Sequence, residues 1–351
     1  MSKPAVLVTF DSMKNPNSGY FSFGKGLGNA LLKQNLGRFK LTYYLFRRTT
    51  FFNGMVDIIH LLRFHRIFFP WYNKFDVIHF TDQTCRLRPY RVKGKKIMTI
   101  HDINKVHLQF SPQKKIDAHI NKIRKFISLC DKVVTISEFV AKDIVRFIPE
   151  AADKLSVIYN GADKLEVADD HSPQYLPKKP FLFTIGLLSP QKGFHLLPAL
   201  LEGNDYELVI SGIETPHKQK IIEEAQKFNC EKRVIVTGPV SDDDKAWYFK
   251  NCSAFLFPSI AEGFGLPVIE AMHFGKPVFL AKYTSLPEIG GDVAYYFDNF
   301  EPKHMQEVFA KGMDDFHKGD RSAKVMAHAD KFSWEKTAEQ YFKLYENCLN
   351  G

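Results

Sequence analysis

Short runs of β-branched and aromatic residues recur along the chain, each followed by a turn and then a segment of helical periodicity. In the first half these runs are Ala5–Phe10, Lys40–Phe46, Asp76–Phe80, Lys96–His101, Lys132–Ser137 and Leu155–Tyr159. In the second half they are Phe181–Gly186, Tyr206–Gly212, Arg233–Gly238, Ala254–Pro258, Pro277–Ala281 and Ala294–Asp298. Most are continuously apolar rather than alternating, the pattern of strands covered on both faces. Helical patterns such as Phe139–Phe147, Lys218–Phe228 and Asp242–Asn251 lie between them. Strand–helix alternation implies parallel sheets with right-handed crossovers. Two sets of six strands predict an α/β chain of two doubly wound, Rossmann-like domains facing across a cleft.

The polar stretch KLEVADDHSPQYLPKK, residues 164–179, carries two prolines and no apolar period, so it is expected as a linker. It separates a first domain, 1–163, from a second, 180–332. The final segment, 333–351, places Trp334, Ala338, Tyr341, Phe342 and Tyr345 on one helical stripe, with Ser333 as N-cap. This helix is expected to cross back to the first domain.

Composition narrows the class. The chain has 351 residues, 45% hydrophobic and 25% charged, which excludes a disordered chain, collagen and a small disulfide scaffold. No apolar stretch approaches the ~20 residues of a membrane span, and the N-terminus lacks a signal sequence. A cytoplasmic protein is therefore expected. Cys85, Cys130, Cys230, Cys252 and Cys348 are odd in number and widely spaced, as befits reduced thiols rather than a disulfide framework or zinc site. Residues 1–165 hold 28 Lys and Arg against 12 Asp and Glu, whereas residues 166–351 hold 20 against 27. A basic first half attracts nucleic acid, anionic lipid or a phosphorylated substrate, and composition does not choose among them.

Ligands of open α/β sheets bind beyond the carboxyl ends of the strands. The sharpest segment there is SIAEGFGLPVIEAMHFGKP, Ser259–Pro277. A strand ends at Pro258, and a loop with Glu262, Gly263 and Gly265 leads into a short helix opened by Pro267 and closed by Gly275. Such a helix start suits a diphosphate. The two glycines allow close backbone approach. Glu262 and Glu270, eight residues apart, would accept hydrogen bonds from sugar and ribose hydroxyls.

The run EGFGLPVIE, Glu262–Glu270, resembles the E-x7-E motif of glycosyltransferase family 4, retaining enzymes of the GT-B fold. SLPEIGGDVAYYFD (Ser285–Asp298), Val234–Ser259, TISEFVAKDI (Thr135–Ile144), IYNGAD (Ile158–Asp163) and TIHD (Thr99–Asp102) resemble further landmarks of that family. The resemblance covers most of the chain from about residue 97 onward. It implies transfer of a hexose from a nucleoside diphosphate sugar, GDP-mannose before a UDP-sugar, to a glycan or lipid-linked glycan in cell-surface polysaccharide synthesis.

By the same resemblance, Glu270 would bind the ribose and Glu262 the donor sugar. The backbone of Phe264, Gly265 and Leu266 would meet the sugar and diphosphate, with Gly263 beside them. His101 would lie under the donor sugar. Gly19 is the best match to a glycine of the first strand–helix loop. In GLLSPQKG, Gly186–Gly193, Lys192 matches a phosphate-binding lysine, but Leu187 stands where the family has an arginine. His79, in DVIHFTD, has less support and is expected to be structural. The acidic triplet Asp242–Asp244 sits at a helix start, which suits the dipole better than a metal. No metal and no cofactor beyond the donor are therefore expected, and no nucleic-acid partner.

IIHLLRFHRIFFPWY, Ile58–Tyr72, mixes apolar, aromatic and basic residues. It is expected either as a crossover helix ended by Pro70 or as a segment lying on an anionic membrane. Rival functions are a nucleotide-sugar epimerase, a non-catalytic relative, for which Leu187 is the support, and a nucleic-acid binder.

Overall fold

The computed structural model describes residues 3–70, 74–108, 112–319 and 321–350. The chain divides into two compact units. One is Met1–Gly161 together with Phe332–Gly351, and the other is Ala162–Lys331.

The first unit is built on a seven-stranded sheet. Its strands are β1 (Ala5–Phe10), β2 (Lys40–Leu45), β3 (Asp57–His60), β4 (Val77–Phe80), β5 (Lys95–Ile100), β6 (Lys132–Thr135) and β7 (Leu155–Val157). The order is β3-β2-β1-β4-β5-β6-β7 and every pairing is parallel. Val8 on the central strand stands opposite Tyr43 on one side and His79 on the other. Val6, Leu7, Val8 and Phe10 are all fully buried, which is why β1 lacks alternation. The crossover helices are α1 (Gly19–Gln34), α2 (Gln113–Ser128) and α3 (Glu138–Phe147). Ser18 caps α1 by accepting from the Phe21 amide, and Ser137 caps α3 by accepting from Val140.

Strand β3 corrects the sequence expectation for Ile58–Tyr72. The segment does not form a crossover helix. It starts as an edge strand, with Ile58 opposite Tyr43 and His60 opposite Leu45, and continues as one 3-10 turn, Arg63–Arg66. A short apolar run has no period to separate helix from strand, and the β-branched pair Ile58–Ile59 favours the strand. Trp71 and Tyr72 lie outside the described residues.

The second unit carries β8 (Phe181–Ile185), β9 (Glu207–Ser211), β10 (Val234–Gly238), β11 (Ala254–Phe257), β12 (Val278–Ala281) and β13 (Tyr295–Phe297). These form a parallel six-stranded sheet of order β10-β9-β8-β11-β12-β13. Its helices are α4 (Lys218–Lys227), α5 (Asp242–Asn251), α6 (Leu266–His273), α7 (Leu286–Gly290), α8 (Pro302–His317) and α9 (Arg321–Ala329). The stretch 164–179 has neither helix nor strand. It is fastened to this unit where His171 meets Asp244 at 2.7 Å, the Tyr175 hydroxyl donates to Glu207 at 2.8 Å, and the Tyr248 hydroxyl donates to the Tyr175 carbonyl.

The chain then completes the first unit with α10 (Trp334–Asn350), whose stripe of Trp334, Ala338, Tyr341, Phe342 and Tyr345 is buried. A Cβ on Gly26 of α1 would stand 2.1 Å from the Trp334 ring, so only glycine lets the two helices approach this closely. Beneath them His79 is fully buried. Its Nδ1 meets the Tyr345 hydroxyl at 2.7 Å and its Nε2 meets Thr99 at 2.8 Å, while Thr99 also meets the Tyr341 hydroxyl.

Burial, reinforced by the nearby His101, pushes the His79 imidazole down to about 3. In the unfolded chain it titrates near 6.5. Below that value the unfolded state binds a proton that the folded state refuses, so stability must fall as pH drops from about 6.5 toward 3. Each such proton contributes a slope of about 1.4 kcal/mol per pH unit. His79→Gln should flatten the acid limb of a denaturation-versus-pH curve by up to one proton. An unchanged slope would show that His79 is not held neutral.

Candidate functional site

A doubly wound sheet opens a crevice where its strand order reverses. In the second unit that point lies between β8 and β11. Lys192 ends the 3-10 turn Pro190–Lys192 that follows β8, and Glu262 lies in the loop that follows β11. The two side chains meet, Lys192 Nζ to Glu262 Oε1, at 2.5 Å, and both are largely buried. The ammonium also lies 5.0 Å from the centre of the Phe257 ring. Its stem passes beside Gly186, where a Cβ would come within 3.6 Å of Lys192 Cε. Leu187 is 45% exposed and places no cation beside it.

The loop that bears Glu262 is held from two sides. On one side the Ile260 amide donates to the Gln191 carbonyl, and the Gln191 side chain donates to the Ala261 carbonyl. On the other side the Glu262 amide donates to Thr284 Oγ1 at 2.9 Å, while Ser285 Oγ bonds the carbonyls of Glu262 and Phe264. Thr284 takes φ 53°, a conformation that β-branched residues avoid. The loop bonds around it offset that strain. The segment Ser285–Asp298 entered the sequence argument only by resemblance; its first residue, Ser285, together with Thr284 just before it, forms this clamp. Gly265, with φ 122°, turns the chain into α6, whose first residue is Leu266. Gly265 is thus a position whose backbone requires the residue type. Phe264 buries its ring, which leaves its backbone as the part able to meet a ligand.

Glu270 lies one turn into α6 and is almost wholly buried. Lys245 Nζ, on α5, donates to its Oε1 at 3.1 Å. Burial pushes the Glu270 carboxyl up, Lys245 pulls it back, and the net displacement is upward. Lys245 was missed in the sequence, where the Asp242–Asp244 triplet drew notice only as a helix start. The available signal was its place on the buried stripe with Tyr248 and Phe249, three and four residues on. The second unit thus holds two carboxylates, each neutralised by its own lysine.

In the first unit the reversal lies between β1 and β4. Asp11 follows β1, Asp82 follows β4 and His101 follows β5. His101 is buried edge-on against Tyr20 and Phe23. Burial holds its pKa below the ordinary value despite Asp82, so it is neutral. Its Nε2 lies 2.8 Å from the Thr81 carbonyl, which can only accept, so Nε2 carries the proton and Nδ1 is left as an acceptor. Asp11 is raised to about 6 by burial and by Asp82, and it accepts from the Cys85 thiol and the Arg86 amide. Sequence reasoning passed over both aspartates. Gly19 opens α1, and a Cβ there would meet nothing within 4 Å. Among the described residues no group of three or more His, Cys, Asp or Glu is arranged to hold a metal ion.

Two family models match this chain. Residues 34–164 match the model described as Glycosyltransferase Family 4, and residues 168–331 match Glycosyl transferases group 1. Among curated relatives, the serotype-specific mannosyltransferase WbdA of Escherichia coli is 26% identical over 78% of this chain and 36% of its own length. The O-antigen chain mannosyltransferase B of Escherichia coli is 25% identical over 74% of this chain and 71% of its own. The chain therefore spans about a third of the first relative's length. Among solved structures, sucrose-phosphate synthase from Thermosynechococcus elongatus superposes with a TM-score of 0.76 at 16% identity, covering 99% of both chains. Anabaena Alr3699/HepE in complex with UDP and glucose superposes at 0.75 and 16% identity, covering 98% of this chain and 100% of that one. At such identity the likeness is one of fold, and the fold is GT-B.

Proposed function

We propose, from the premise that this chain belongs to the glycosyltransferases, with a family 4 first half and a group 1 second half, that it is a retaining hexosyltransferase. It takes the sugar from a nucleoside diphosphate sugar, GDP-mannose before a UDP-sugar, and passes it to a glycan or lipid-linked glycan during cell-surface polysaccharide synthesis. The observation that carries this reading is the Lys192–Glu262 pair at the β8/β11 reversal, beside the start of α6. The mannosyltransferase relatives favour the mannosyl donor, while the UDP complexes among similar folds keep UDP-sugars next.

In this reading Glu270 takes the ribose hydroxyls and Glu262 a hydroxyl of the sugar. Lys192, with the backbone of Phe264, Gly265 and Leu266, stabilises the departing diphosphate, so no metal is needed. The bond from the anomeric carbon to the phosphate oxygen breaks. The acceptor oxygen bonds that carbon on the same face, and its proton passes to the leaving phosphate. His101, neutral with Nδ1 left as an acceptor, is the first unit's candidate for taking a sugar hydroxyl. The test is a panel of GDP- and UDP-sugars with candidate glycans in the presence of EDTA, the product's anomeric configuration being read by NMR. Inversion, or loss of activity with EDTA, would overturn the corresponding part. Change of the donor without an acceptor would identify an epimerase instead.

The reading extends to the cytoplasmic face of a membrane. The turn after β3 leaves Leu62, Phe64, Ile67 and Phe68 between 40% and 70% exposed. They belong to a unit with 29 Lys and Arg against 14 Asp and Glu, a field that repels a second copy and attracts an anionic bilayer. Among the described residues no helix is long and apolar enough to cross a membrane. Flotation should show binding to anionic vesicles at low salt, release at high salt and little binding to neutral vesicles. Ile67→Asp with Phe68→Asp, or charge reversal at Arg63 and Arg66, should weaken it. Indifference to anionic vesicles at low ionic strength would end this proposal.

A further inference from the structure

Lysine side chains normally extend into water, yet Lys245 keeps only 14% of its side chain exposed and spends its ammonium on a carboxylate that is 8% exposed. Burying such a pair is costly unless its mutual attraction and hydrogen bonds offset the lost hydration. The surroundings sharpen the point. Asp242, at the start of α5, lies 3.6 Å from Lys245, and Asp163, from the segment entering this unit, acts on both members of the pair. Around Glu270 there are thus two further carboxylates, and the Lys245 ammonium is attracted by all three acids. Burial works against its ammonium, yet the three acids together hold Lys245 above the ordinary lysine value.

A buried carboxyl with acidic neighbours and no cation takes up a proton near neutrality. Once protonated it gives up one of its acceptor oxygens. Lys245 occupies Oε1 and leaves Oε2 with no hydrogen bond among the described residues. We propose that Lys245 is a positioning residue for nucleotide recognition: its ammonium keeps Glu270 an aimed carboxylate whose second oxygen takes the vicinal hydroxyls of the ribose. This rests on the assignment of Glu270 to the ribose made above. It goes further in saying why α5 carries a lysine on its buried stripe.

The experiment is calorimetric titration of GDP and UDP between pH 5.5 and 8, with each variant compared with wild type at the same pH so that the nucleotide's own ionisation cancels. Lys245→Met should bind at least tenfold more weakly at pH 6 and recover toward wild type by pH 8. Lys245→Arg should follow wild type throughout. The double variant Lys245→Met with Glu270→Gln, which keeps the shapes and removes both charges, should bind weakly with no pH dependence relative to wild type. A second readout has the opposite sign. In Lys245→Met the folded-state pKa of Glu270 is raised further above its unfolded value, so the thermal stability of the nucleotide-free protein should fall as pH rises through it. A loss of affinity equal at every pH, or none at all, would overturn the positioning role while leaving Glu270 on the ribose. If wild type binds neither nucleotide at any pH, the ribose assignment fails and takes this inference with it.

Discussion

Lys192→Ala should lower turnover at least ~100-fold, the scale on which one preorganised charge stabiliser acts. The lysine stands at the β8/β11 reversal with its ammonium already desolvated against Phe257 and Glu262. Charge that develops on a leaving diphosphate would meet it without reorganisation of solvent. Leu187 cannot take over, because the position that carries an arginine in the resembled family is here an exposed apolar side chain. Steady-state kinetics with the best donor would show the loss mainly in kcat. Glu262→Ala should also act mainly on turnover, since the carboxylate would meet the sugar rather than the nucleotide. Near-normal kcat in Lys192→Ala would mean that another cation neutralises the diphosphate. Leu187→Arg is the companion variant and should raise nucleotide affinity.

Glu270→Ala should instead weaken nucleotide binding, by about 1.5–3 kcal/mol for hydrogen bonds lost to a charged group. That corresponds to roughly tenfold to somewhat over a hundredfold in Kd. At saturating donor, turnover should be far less affected. Calorimetric titration of the nucleoside diphosphate would measure the first effect, and kinetics at high donor concentration the second. Glu270→Gln distinguishes charge from shape, because it fills the same space beside Lys245. Binding of wild-type strength in both variants would remove Glu270 from the nucleotide site.

Much of the architecture was legible because the strands are short, continuously apolar and separated by turns. Each of the twelve runs singled out in the sequence coincides with a strand of the structure, with ends that differ by no more than two residues. Strand β3 escaped because its four residues merge into the apolar run that follows, and only pairing with β2 decides its conformation. The glycine-rich loop before α6 was legible for a different reason. Glycine, proline and glutamate at fixed spacing describe a backbone path and its charges together. Contacts between segments distant in sequence were not legible. The clamp of Thr284 and Ser285 on the Glu262 loop joins residues more than twenty positions apart, and nothing local in SLPEIGG announces it. Lys245 looked like one more surface lysine after three aspartates until α5 was laid against α6. Asp82 acts on Asp11 only because β1 and β4 are neighbours in the sheet.

The return of α10 to the first sheet has a consequence for biogenesis. The second unit is one uninterrupted stretch of chain, whereas the first is interrupted and regains its last helix only at residues 332–351. A ribosome working from the amino end therefore delivers every residue of the second unit before the first can close. Until α10 emerges, the slots against Gly26 and over His79 and Thr99 have nothing to fill them. The half that is synthesised first must be the last to mature. A nascent chain arrested before residue 332 should present a protease-resistant second unit beside a first unit that is still open to digestion.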